Sequence, residues 1–216
     1  MRLSSMALPV AAMVGAAIAL VGCSPAMERN GELHYVVPDK VLAEYQMAAE
    51  CCKSPAEFQY VPLPASGNVE GMIDGTSPAF TFDTGKSFFL AYRLPDRAGP
   101  YVITVTSPHG PYSSALYCQG LLLLDEKYEI VGRSGPPEAR LMRPTFFRGH
   151  TIRNVITVPA AGEKTARYLV IHTTPAAMTG GFRKPAHDPM NNGRMAVHDC
   201  SPVTPYGLSV ELEAPK

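Results

Sequence analysis

The chain has 216 residues, with 19 basic and 19 acidic side chains, 21 prolines, five cysteines and no tryptophan. That balance excludes the electrostatic footprint of a nucleic-acid binder and gives no pull toward an acidic polymer. Behind its apolar start the chain has no run long enough for a membrane helix, so the remainder is soluble and large enough for a real core.

The apolar start is the first element. Arg2 supplies a positive opening, Met6 to Val21 carries no charge, and Leu20-Val21-Gly22-Cys23 resembles the lipobox of bacterial lipoproteins. Residues 1–22 therefore read as a lipoprotein signal peptide cut before Cys23, whose thiol takes the lipid (palmitate being one such chain). An uncleaved span is one alternative, but the run is short against the roughly 20 residues needed and is interrupted by Pro9 and Gly15; a plain secretory signal cut after a small residue is another. Ser24 rather than aspartate follows the cysteine, which resembles the pattern of lipoproteins directed to the outer membrane. Residues 23–37 form a polar tether, and 38–216 a single domain.

Asp39, after Pro38, is the expected cap of a helix over 39–52. On a helical wheel Val41, Leu42, Tyr45, Ala48, Ala49 and Cys52 share one arc, with Lys40, Glu44 and Glu50 outside it. Cys51, Cys52, Cys118 and Cys200 are an even set in an oxidising compartment and permit three pairings. Adjacent cysteines seldom bridge each other. The arc aims Cys52 inward, so the expected pairs are Cys52 with Cys118 and Cys51 with Cys200, with reduced thiols as the alternative.

Beyond Ser54-Pro55 the period changes to two. Strands are expected at Phe58 to Leu63, Ser87 to Leu94, Tyr101 to Thr106, Gln119 to Leu124, Tyr128 to Val131, Thr151 to Val158, Arg167 to Thr174 and Leu208 to Glu213. Gln119 to Leu124 is apolar on both faces, as a central strand would be, and Asp125-Glu126-Lys127 turns it. Gly67 to Pro78 reads as a Gly-rich loop. Such segments between Pro/Gly turns predict a mainly β protein, an antiparallel β-sandwich of immunoglobulin-like or jelly-roll-like kind, with one short N-terminal helix packed against it. Gly132 to Arg148 and Pro175 to Pro205 lack a pattern, and loops of that length are functional or mobile. The second carries Arg183, Lys184, His187, Asp188, Arg194, His198 and Asp199, the expected border of any ligand site, the alternative being a surface excursion pinned by Cys200.

Taken in order, Tyr60-Val61-Pro62-Leu63, Phe89 to Pro95, Val102 to Ser107, Leu121 to Asp125, Tyr168 to Thr174 and Gly207-Leu208 resemble the maltose operon periplasmic protein family (MalM) from about Glu57 to Glu213. The chain departs from longer members in ending after the last strand, and from some in carrying a lipobox. The resemblance implies a periplasmic, non-enzymatic accessory or binding module in maltodextrin transport, with no cofactor. A structural envelope lipoprotein that binds a porin is the second hypothesis, and a secreted hydrolase the third. The partners expected are the membrane, through lipid, and an oligosaccharide or an outer-membrane porin, but no nucleic acid. With no tryptophan, Tyr112, Tyr117 and Tyr206 are the sugar-stacking candidates.

Catalytic motifs are weak. Asp83-Thr84-Gly85 spells the aspartic-protease triplet, which needs a second copy sharing a proton, and a β-turn accounts for it. Gly85-Lys86-Ser87 lacks the leading P-loop glycine, since that position is Phe80. His187-Asp188 and His198-Asp199-Cys200 lack metal-site spacing and read as solvated loop residues, so no metal is expected. Asp125 and Glu126 are carboxylates a glycosidase could use, but Asp125 reads more simply as a turn residue. No Gly-x-Ser-x-Gly elbow occurs, and no enzyme is expected.

Overall fold

The computed structural model describes residues 27–29, 32–65, 68–108, 115–135, 139–142, 151–160, 162, 165–180, 182–184, 196–204 and 206–213. Cys23 and the leader lie outside these, as do Tyr112, His187, Asp188 and Arg194. No helix among the described residues is long and apolar enough to cross a membrane.

Two sheets face each other. The first is antiparallel and holds, in chain order, β4 (Asn68–Gly71), β7 (Tyr101–Pro108), β10 (Arg140–Met142), β11 (Thr151–Val158) and β15 (Leu208–Glu213), with spatial order β10-β11-β7-β15-β4. The second runs β3 (Val61–Pro62), β6 (Gly85–Arg93), β12 (Tyr168–His172), β8 (Gly120–Leu124), β9 (Ile130–Ser134), with β5 (Ala79–Phe82) also on β6. Between them, Ile103 and Val105 of β7, Ile156 and Val158 of β11 and Leu208, Val210 and Leu212 of β15 meet Phe88, Tyr92, Leu121, Leu123, Leu169 and Ile171. Alternation is clean on β11, where Ile152, Asn154, Ile156 and Val158 are buried and Val155 and Thr157 are exposed. The two-sheet sandwich expected from period-two patterning is thus the fold.

The central strands of the second sheet, β6, β12 and β8, are covered on both sides. Phe89, Ala91, Leu122, Leu124 and Val170 point away from the sandwich core and pack under Phe58 and Phe82. That explains the uninterrupted Leu121 to Leu124 run: the layer beneath it is an aromatic cluster, with Phe58 and Phe89 centroids 4.2 Å apart. A third sheet, β1 (Met27–Arg29), β2 (Glu32–Tyr35), β14 (Ala196–His198) and β13 (Phe182–Lys184), has β2 and β14 parallel. The expected tether at 23–37 therefore contains strand, and so does the second long loop.

Several boundaries move. Helix α1 (Asp39–Met47) ends five residues before Cys52, and Asp39 is its first residue, with Pro38 at the cap position. The Lys86 ammonium accounts for the stop, donating to the terminal carbonyls of Gln46 (3.0 Å) and Ala48. Only Tyr45 of α1 is fully buried, edge-on to Phe88 with its hydroxyl donating to the Lys86 carbonyl. Chain 48–52 runs extended, with the Cys51 amide donating to the Ala79 carbonyl at 2.9 Å. Of the strand expected at Phe58 to Leu63 only Val61–Pro62 forms, the rest being coil that follows a 3-10 turn at Pro55–Glu57. Within the expected Gly-rich loop, β4 forms at the edge. A short helix, α2 (Pro175–Gly180), opens the second long stretch.

The cysteine pairing differs from expectation. The disulfides join Cys118 to Cys200 and the neighbours Cys51 and Cys52, replacing the expected Cys52–Cys118 and Cys51–Cys200 bonds. The expected pairing rested on a helix reaching Cys52. With the helix finished at Met47, both cysteines lie in an extended segment on the outer cluster, where Cys52 packs beside Phe58. Cys200 is set against Leu116 by a parallel bridge, which brings it opposite Cys118 with α-carbons 5.4 Å apart.

Candidate functional site

Of the residues expected to border a ligand, Arg183, Lys184, His198 and Asp199 are among the described residues, and His187, Asp188 and Arg194 are not. Arg183 and Lys184 lie on β13, opposite Val197 and Ala196 of β14. His198 is buried on β14, and Asp199 is half-buried with its carboxyl held above the usual range by that burial, against hydrogen bonding from Val37. The Leu116 amide donates to the Asp199 carbonyl oxygen at 3.0 Å, and the Ser201 amide donates to that of Leu116. His198-Asp199-Cys200 is therefore a fastening of the chain to the sandwich, and the expectation of solvated loop residues is corrected for His198. Among the described residues no group of three or more His, Cys, Asp or Glu side chains is arranged for a metal.

Of the proposed stacking rings, Tyr117 is fully buried and unavailable, while Tyr206 is exposed. Asp125 is a turn residue as expected: its Oδ1 accepts from the amides of Lys127 (2.8 Å) and Glu129 (2.9 Å). Asp83-Thr84 is the two-residue turn of the β5–β6 hairpin, with Phe82 opposite Gly85 at φ +112°. The Asp83 carboxylate pairs with Arg133, whose hydrogen bond holds it below the ordinary carboxylate range.

Beneath that pair lies His172, stacked on Phe82 at 4.7 Å and buried. Its Nδ1 donates to the Thr173 carbonyl at 2.8 Å if the proton sits there, and burial lowers its pKa to about 4. The ring fits because Gly120 stands opposite it on β8; a Cβ there would lie 3.1 Å from Nε2. A second buried polar set knits the two sheets. Gln119 Nε2 donates to the carbonyls of Val105 and Ile152, and Asn154 Nδ2 donates to that of Gln119. Ser134 Oγ donates to Asn154 Oδ1 at 2.6 Å. Both sets lie in the interior, where His172, Gln119, Asn154 and Ser134 are buried.

A concave surface of mixed polar and apolar lining forms instead at the end of the sandwich where β6 leads into β7 and β11 leads into β12. It is a cleft of about 270 Å³, its walls including Asp96, Arg97, Tyr101, Thr165 and Arg167. Pro95, two residues past β6, and Pro159, directly after β11, have no amide N–H to give a ladder, and both connections leave the sheets here. Arg167 donates to Asp96. Arg97 lies over the Tyr101 ring, 5.0 Å from its centroid, and donates to the Ala65 carbonyl. Tyr101 is raised by burial, eased by the charge of Arg97. Next to Arg167, Tyr168 stacks with Tyr128 (5.0 Å) and with Tyr60 (4.2 Å). Tyr168 is raised first by its hydrogen bond with Tyr128, and the charges of Arg93 and Arg167 pull it the other way. Tyr128 takes a left-handed φ of 64°, uncommon for a bulky side chain.

Sequence reasoning did not find this end. Its pieces lie in two connections, Asp96 and Arg167 being 71 residues apart. The one available signal was the pair of Pro-bounded, charge-bearing turns after strongly apolar strands.

Fold and site together define a class: a disulfide-linked β-sandwich with a small polar and aromatic cleft at one end of its strands. The sequence then narrows the class. The profile of the maltose operon periplasmic protein precursor (MalM) matches residues 84–195, just over half of the chain, and the chain belongs to that family of periplasmic proteins. The match takes in Phe89 to Pro95, Val102 to Ser107, Leu121 to Asp125 and Tyr168 to Thr174, the segments that carried the resemblance through the sandwich centre. No curated protein and no solved structure matches the chain.

Proposed function

We propose that the protein is lipidated on Cys23, held at the periplasmic face of the outer membrane, and acts without catalysis as an accessory or binding module in maltodextrin transport. The observation that carries this reading is the family match over residues 84–195. The lipobox-like Leu20-Val21-Gly22-Cys23 supports the anchor. The Cys118–Cys200 disulfide fits an oxidising compartment. Deletion of the gene in its native host is expected to slow growth on limiting maltodextrin and to leave growth on glucose unchanged. Equal growth on both would sink the reading.

A second reading, an envelope lipoprotein that holds a porin, is favoured by the edge strand β9 with Ile130 exposed at its start. Photo-crosslinking from position 130 in cells separates the two. A specific outer-membrane partner captured without sugar present would favour the porin-holding role.

A further inference from the structure

The cleft at the β6–β7 and β11–β12 end has a composition that selects its ligand. Asp96 presents a carboxylate at its rim with the side chain 88% exposed, so its oxygens retain accepting capacity beyond the bond from Arg167. Arg167, 44% exposed, retains guanidinium N–H groups beyond the one given to Asp96. Arg97 is fixed from two directions, by the Tyr101 ring and by the Ala65 carbonyl, so its head is positioned before any ligand arrives.

An anion would meet the Asp96 carboxylate as a repelling neighbour of the Arg167 guanidinium it already pairs with, and an apolar ligand would leave the hydrogen-bonding capacity of both heads unused. A polyol gives and takes at each hydroxyl, and two vicinal hydroxyls span a carboxylate beside a guanidinium. Volume narrows the choice further. Pockets that enclose drug-sized ligands run to about 300–1,000 Å³, and about 270 Å³ admits a single ring. The remainder of a longer chain must lie outside.

We propose that this cleft is a carbohydrate subsite that receives one pyranose of a neutral oligosaccharide, its vicinal hydroxyls shared between Asp96 and Arg167. The proposal rests on the maltodextrin reading for the choice of sugar and adds the place and the residues to it. Asp96 and Arg167 form an exposed ion pair, which contributes little to stability, so substituting them leaves the fold intact.

The test is calorimetry and two-dimensional NMR on the mature protein with maltotriose, and with cellotriose as a linkage control, for wild type, Asp96→Ala and Arg167→Met, each checked by thermal melting. Expected are millimolar-range or tighter binding by wild type and shift changes centred on 95–98 and 165–168. Each variant is expected to weaken binding tenfold or more, the scale of one charge-assisted hydrogen bond, with unchanged melting. Binding that persists unchanged in both variants would overturn the location. No binding of either sugar by wild type would overturn the subsite altogether. Neither result touches the growth phenotype on maltodextrin, which decides the broader reading by itself.

Discussion

At the scale of the residue, His172 is a side chain whose charge state the fold constrains. It sits on β12 between Phe82 and Gly120, with Asp83 and Arg133 as the charged groups facing it from the hairpin turn and from β9. Burial lowers its pKa from 6.5 to about 4, so the unfolded chain takes up the proton first as the solution is acidified. Stability is complete above about pH 6.5 and declines between there and pH 4. The loss is about 3 kcal/mol, from 1.36 kcal/mol per unit. Asp199 acts in the other direction: burial raises its pKa, so it restores stability as pH falls through its range. Urea unfolding of wild type should therefore weaken from pH 7 to 4.5, and His172→Gln should flatten that slope while being less stable at pH 7. An equally steep slope in the variant would remove His172 as its cause. Gly85 gives a second prediction at this scale. Its φ of +112° and the 2.6 Å approach of a Cβ to Pro175 Cγ make Gly85→Ala cost about 1–3 kcal/mol in chemical denaturation.

At the scale of the element, the two disulfides have unequal consequences. Cys118–Cys200 spans 82 residues and ties the β14 segment to the sandwich, whereas Cys51–Cys52 closes no loop. Removing the long link frees an unfolded chain that was strongly constrained, which predicts a loss of roughly 3–5 kcal/mol for the double Ala variant of 118 and 200. The double Ala variant of 51 and 52 should lose well under 1 kcal/mol on the same loop-entropy argument. Peptide mapping under non-reducing conditions checks the pairing itself, and a Cys52–Cys118 peptide would contradict it. The same elements mark what could be read in advance. Strands β7, β11 and β15 announce themselves because a sheet with one buried face must alternate. The central strand β8 was legible from Leu121 to Leu124 because both of its faces are covered. The end of α1 was not legible, since the group that stops it, Lys86, is 40 residues from Gln46. The cysteine pairing failed with it. The cleft was invisible for a related reason: it is an accident of where two chain reversals coincide, and attention to polar loop composition pointed to β13 and β14 instead.

At the scale of the whole molecule, the position of β1 bears on how an anchored body would sit. Strand β1 begins at Met27, four residues after Cys23. An extended chain reaches at most about 3.3–3.6 Å per residue, so lipid on Cys23 would hold β1 within roughly 15 Å of the attachment point. Through β1, β2 and the parallel pairing to β14, the Cys118–Cys200 link carries that constraint into the sandwich. A lipidated chain would then lie against the membrane surface rather than swing from it, which suits a module that meets a sugar or a porin at the outlet of a pore. The chain's lack of tryptophan makes this measurable. A single Trp at position 28 (Glu28→Trp) should be quenched strongly by lipids spin-labelled at the headgroup in vesicles carrying the native, acylated protein. Cys23→Ser should abolish the quenching and move the protein to the soluble fraction, because more than one acyl chain is what makes attachment stable. Quenching that survives Cys23→Ser would mean that the body itself binds membranes. No quenching in a demonstrably acylated protein would mean that the four-stranded sheet comes apart to lengthen the tether.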